Sequence, residues 1–180
     1  MRRPSTISAA ILGTAILLGA LEVCAGAPPP GGWGTTRGLT IGPSIAWVGG
    51  KEIENTFAPG LELTYFHRIN TPLFAWISPG ARLWIADGGT GVIPYIEAGL
   101  SFLFFNAGVG YGMGFLTPNV PAHSVHGFFG VAIPIWTPKK GHLLYVEPYY
   151  RPTWNISTGD DTAGHELGMM IKWLFGFGSG

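Results

Sequence analysis

Apolar residues alternate with small or polar ones along most of this chain, and clusters of turn residues interrupt the alternation. In 39–48, Leu39, Ile41, Ile45 and Trp47 stand against Thr40, Gly42, Ser44 and Ala46. In 59–68, Leu61, Leu63 and Tyr65 stand against Gly60, Glu62, Thr64 and Arg68. The same period of two runs through 73–84, 92–104, 107–115, 124–136, 142–154 and 163–175. Successive side chains of a strand point to opposite sides, so each segment predicts a strand with one bulky apolar face and one small or polar face. The extreme case is 107–115, where Gly108, Gly110, Gly112 and Gly114 clear one face while Ala107, Val109, Tyr111, Met113 and Phe115 fill the other. That spacing lacks the G-x-G-x-x-G of a phosphate loop. Gly108 and Gly112 also lack the apolar run of about 20 residues that a membrane-helix contact requires.

Eight such segments predict an all-β chain, an eight-stranded antiparallel up-and-down barrel, each strand about long enough to cross a bilayer at a tilt. The links agree with this. Those at 49–56, 86–91, 116–123 and 155–162 are the longer ones; those at 69–72 and 137–141, and a tight turn near Phe105–Asn106, are the shorter ones. Long and short alternate, as when one rim carries short periplasmic turns and the other external loops. The turn near Asn106 has no glycine or proline, which leaves open a single bent strand there and seven strands in all.

The charges decide which face is wet. Beyond residue 27 the chain has seventeen charged side chains, of which Arg37, Lys51, Glu52, Glu54, Asp87, Lys139, Lys140, Asp160 and Asp161 are assigned to links. The other eight, Glu62, Arg68, Arg82, Glu97, Glu147, Arg151, Glu166 and Lys172, all share the parity of the small residues. Eight charges cannot cover the outside of a soluble barrel. In a membrane barrel the assignment inverts: the bulky face meets lipid, and four acids with four bases pair in a closed lumen, where unpaired charge is costly. The cleared face of 107–115 then points inward and leaves room for long Arg, Glu, Tyr and His side chains from other strands. Trp47, Tyr65, Tyr150, Trp154, Trp173 and Phe175 fall on the lipid face near segment ends, where aromatic girdles form; Trp84 and Trp136 fall on the inward parity.

Composition points the same way. Only 11% of residues are charged, against about 25% in ordinary soluble domains, and mean hydropathy is +0.30. The 13% aromatic content excludes disorder, and a net charge of zero offers no footprint for nucleic acid. Residues 1–27 read as an export signal: Arg2 and Arg3, an apolar stretch from Ile7 to Leu21, and small residues that allow cleavage after Ala25 or Ala27. The alternatives are a retained helix and an acylated Cys24. Residues 28–36 read as a Pro/Gly-rich linker, 37–177 as the barrel and 178–180 as a short tail.

These segments, with "YVEPYYRP" and the aromatic last strand "HELGMMIKWLF", resemble the small eight-stranded outer-membrane barrels, the superfamily of the transmembrane half of OmpA and of the OmpX-type and opacity-type surface proteins. The resemblance covers about residues 37–177. It implies a monomer in the outer membrane of a diderm bacterium, in contact with lipid. It also implies an assembly machinery that reads a final aromatic residue, here Phe175 or Phe177.

Some barrels of this architecture modify lipid A, the PagL type through a His-x-Ser pair. The nearest material here is His123, Ser124 and His126; Ser124 and His126 share the inward parity and form a candidate nucleophile and base. "HELGM" lacks the second histidine of a zinc-binding H-E-x-x-H, and the five histidines share no local spacing, so no metal or other cofactor is expected. The expectation is a structural or surface-interacting barrel whose lumen charges form a plug rather than an ion path. The alternatives are a lipid-modifying enzyme around Ser124 and His126, and a secreted soluble barrel that binds a small apolar ligand.

Overall fold

The computed structural model describes residues 35–50, 56–70, 72–86, 89–114, 123–139, 141–156 and 163–179. The leader, the linker before Thr35 and most of the longer links lie outside the described residues. Nine strands are present among them: β1 (Thr35–Gly50), β2 (Thr56–Asn70), β3 (Leu73–Ala86), β4 (Gly89–Phe102), β5 (Phe105–Met113), β6 (His123–Val131), β7 (Ile133–Trp136), β8 (His142–Asn155) and β9 (Ala163–Ser179). Each pairs antiparallel with its neighbour. β1 also pairs with β9, from Thr35↔Ser179 to Gly50↔Gly164, and β8 pairs with β6 and β7, so the sheet closes on itself. Closure leaves no long open edge, which is how a sheet pairs its backbone groups without water.

The barrel has eight walls, because β6 and β7 are two halves of one. The alternation over 124–136 gave a single strand; the ladder breaks at Ala132, whose N–H donates instead to the Phe104 carbonyl at 2.8 Å. A register shift follows between Pro134 and Trp136. The shift turns Trp136 outward, 54% exposed, where parity placed it inward. The side chain of Trp84 lies outside the described residues.

Three further boundaries differ from the sequence reading. β3 and β4 stay paired to Ala86↔Gly89, so the link expected at 86–91 shrinks to Asp87 and Gly88. Arg37, assigned to a link, is in β1. The turn expected near Phe105–Asn106 is two residues earlier: Phe102 pairs with Phe105 and the two-residue connection is Leu103–Phe104, with Leu103 at a φ of 55°. That turn makes β4 and β5 separate strands. A positive φ at the first position of a two-residue hairpin loop is where glycine is normal.

Prolines lie within several paired strands, and the ladders lapse beside two of them. The β1–β9 ladder skips Gly42 and Pro43, and the β2–β3 ladder skips the positions around Pro79. Pro79 brings no N–H, and the Ser78 hydroxyl donates to the Leu63 carbonyl across that gap at 3.2 Å.

Candidate functional site

Inward-facing positions converge on the barrel axis, and the charged ones meet near its middle. Glu62, Arg82, Glu97, Glu147, Arg151, Glu166 and Lys172 are all buried and form one connected cluster. Arg151 is its centre. Its Nε donates to Glu97 Oε1 at 2.6 Å, one terminal nitrogen donates to Glu166 Oε1 at 2.6 Å, and the other lies 3.5 Å from Glu62 Oε2. The guanidinium carbon sits 4.7 Å from the centre of the Tyr149 ring and 4.9 Å from that of Tyr95. Arg82 pairs with Glu166, and Lys172 bridges Glu62 and Glu147, the latter at 2.9 Å.

Arg68, the eighth residue of the same parity, does not join. It is half-buried near the end of β2 and makes no ion pair among the described residues.

Neutral partners complete the shell. Tyr95 donates to Glu62 Oε2 at 3.0 Å, Tyr149 to Glu166 Oε1 at 2.6 Å, Thr64 to Glu62 Oε1 at 3.1 Å, and Asn106 to Glu147. His126 Nε2 meets Glu97 Oε1 at 2.7 Å. Buried carboxylates and guanidiniums are costly unless paired and hydrogen-bonded; every one here is paired, while Arg82 Nε, Glu97 Oε2 and His126 Nδ1 have no hydrogen-bond partner among the described residues.

The glycines of β5 make the space. A Cβ on Gly110 would fall on His126 Nε2 and within 2.6 Å of Glu97 Cγ, one on Gly108 within 2.7 Å of the Trp76 ring, and one on Gly112 within 2.9 Å of Ser124 Oγ. A small void lined by Lys172, Glu62, Glu147 and Thr64 among others measures about 30 Å³. That holds one or two waters at most.

Ser124 and His126 are both buried on the inner face of β6, two residues apart. His126 is held by Glu97, and no hydrogen bond joins it to Ser124 among the described residues. The nucleophile–base reading thus has its residues but not their contact. No group of three or more His, Cys, Asp or Glu side chains with metal-binding geometry occurs among the described residues.

Sequence reasoning missed an apolar half of the lumen. Phe66, Phe74, Trp76, Phe128, Leu143, Met170 and Leu174 are buried inside, toward the end that carries the short links. The Phe66–Phe74 and Trp76–Phe128 rings meet edge to face at 5.9 and 5.6 Å. Strand parity puts every one of them on the inward face, the face that the charges share.

No protein-family model matches the chain, and no curated protein is similar to it in sequence. Solved structures are similar in fold. Neisserial surface protein A superposes with a TM-score of 0.50 at 13% identity, over 78% of this chain and 97% of that one. The chain has the fold of the small eight-stranded outer-membrane barrels. Ail, the attachment invasion locus protein of Yersinia pestis, has a TM-score of 0.49 at 15% identity, over 79% of this chain and 99% of its own. The closed sheet and the inward charges of this chain account for that fold on their own terms.

Proposed function

We propose that this protein is an exported outer-membrane barrel of structural or surface-interacting, non-catalytic role, with its lumen sealed by the charged cluster and the apolar layer beneath it. The observation that carries the reading is the outer wall. Ile45, Leu61, Val109 and Leu167 are each more than half exposed, and large apolar side chains continue between them around the barrel. An apolar surface that extensive is poorly tolerated in water, which weighs against the soluble barrel, and is what a lipid-facing wall requires.

The outer aromatics support the same reading. At one end Trp136, Trp173, Phe175 and His142 meet edge to face or tilted, and at the other Tyr150 stacks on His165 and Tyr111 on His123. On β9 the two bands are ten residues apart, from His165 to Phe175. That is about 33 Å along a strand at roughly 3.3 Å per residue, and about 25 Å across a bilayer at a tilt near 40°. Apolar bands of transmembrane barrels are about 25 Å tall.

The export signal at 1–27, the monomeric state and the assembly signal at Phe175 or Phe177 belong to this proposal. The orientation does too: termini and short links face the periplasm, and residues 49–56 and 155–162 face outward. Fractionation tests it, with the protein expected in the sarkosyl-insoluble outer membrane; recovery from the soluble periplasm overturns it. On intact cells an impermeant maleimide is expected to label single cysteines at Glu52 and Asp160 but not at Lys139. The reverse labelling would invert the orientation.

A further inference from the structure

Acids and bases are distributed differently over this barrel. All four acids among the described residues, Glu62, Glu97, Glu147 and Glu166, are buried in the lumen. The described cations outside the cluster are Arg37, Arg68 and Lys139, and all three lie at the end that carries the short links and both ends of the barrel chain. None makes an ion pair among the described residues. The sequence of the links at the opposite end holds Glu52, Glu54, Asp87, Asp160 and Asp161 against Lys51 alone.

Strand register joins the exposed cations Arg37 and Lys139 into one arc. Arg37 pairs across the sheet with His67 on β2 and with Phe177 on β9. Two residues on, Leu39 pairs with Phe175, which pairs in turn with His142 at the start of β8. The His142 N–H donates to the Lys139 carbonyl at 3.0 Å, so Lys139 stands directly beside that pair. Between the two cations lies an aromatic platform: Trp136 and Trp173 at 5.7 Å, Trp173 and Phe175 at 6.2 Å, His142 and Phe175 at 5.6 Å.

We propose that this arc binds the headgroup of an anionic phospholipid, its phosphate held by Arg37 and Lys139 and its glycerol and upper acyl chain laid on the Trp136–Trp173–Phe175 platform. The inference rests on the membrane reading above. Neither the described residues of this rim nor the sequence of its links at 69–72 and 137–141 offers these cations an acid. At the edge of an apolar wall the available anion is a lipid phosphate, and amphipathic rings favour that depth. Free phosphate would leave the platform unused. The acid-rich links opposite give the surface a single end of the barrel.

The full chain, refolded into phosphatidylcholine vesicles that contain equal small fractions of brominated phosphatidylcholine or brominated phosphatidylglycerol, supplies the test through tryptophan quenching. Brominated phosphatidylglycerol is expected to quench more, with a preference of about fivefold per cation that weakens in high salt. Arg37→Gln with Lys139→Gln is expected to bring the two lipids to parity; neither side chain takes part in the buried cluster, so the variant folds. Equal quenching by both lipids in the unaltered chain, or a preference unchanged in the double variant, overturns the inference and leaves the membrane reading standing. Absence of quenching by either lipid sinks both.

Discussion

Arg151 is enclosed by three carboxylates and two tyrosine rings. Arg151→Met therefore leaves Glu97 with His126 alone and takes one of two cations from each of Glu166 and Glu62, all of them buried. The expected loss is about 3–5 kcal/mol, the cost of breaking a buried pair by removing one partner. Urea unfolding in lipid vesicles measures it, and a loss below about 1 kcal/mol would mean that the lumen is wetter than described. Much of this cluster was legible, because a charge's parity in a strand fixes the face to which it points. What parity does not give is height along the axis. Arg68 has the right parity and still stands apart, because it sits near the end of β2, below the plane where the carboxylates meet. Tyr95, Tyr149 and His126 were likewise on the inward face, but which carboxylate each would reach depends on the stagger between strands.

At the scale of elements, the β4–β5 turn carries a strain that the chain has not relieved. Leu103 has a φ of 55°, a region that costs a side chain with a Cβ about 1–2 kcal/mol. Leu103→Gly is expected to stabilise the barrel by about 1 kcal/mol, less than the full strain because glycine also frees the unfolded chain. A destabilised variant in the same urea titration would show that the Leu103 side chain, 39% exposed, packs more usefully than its backbone suffers. The sequence left this turn ambiguous because Leu-Phe has none of the residues that mark a hairpin. The break in the sixth wall was hidden for a related reason: the ladder lapses at Ala132 without a change of register, and the phase changes only between Pro134 and Trp136, where alternation carries no mark of it. Depth gives a second element-scale test on β2. Leu63→Arg, near the middle of the wall, is expected to cost about 2–4 kcal/mol, and Ile69→Arg, near the rim, about 0–1 kcal/mol. Equal costs at the two positions would argue against a hydrocarbon slab around the strand.

For the whole molecule, the fold was legible because one physical cause acts on every strand. A closed sheet in lipid must turn apolar side chains outward and pair what it encloses, and eight alternating segments with inward charges leave few other solutions. The apolar layer inside was less visible, since Phe66, Phe74 and Leu174 satisfy the same parity as charges without announcing an interior. The central claim is that the bulky face meets lipid and the charged face does not. Nitroxide labels at successive positions of β1, from Thr40 to Ala46 in otherwise cysteine-free barrels reconstituted in bilayers, test it most directly. Collision with oxygen, which concentrates in hydrocarbon, is expected to be high at Ile41 and Ile45 and low at Thr40, Ser44 and Ala46, with little access for a water-soluble nickel reagent at any of them. An inverted alternation, or strong access for the nickel reagent at Ile41 and Ile45, would contradict the account.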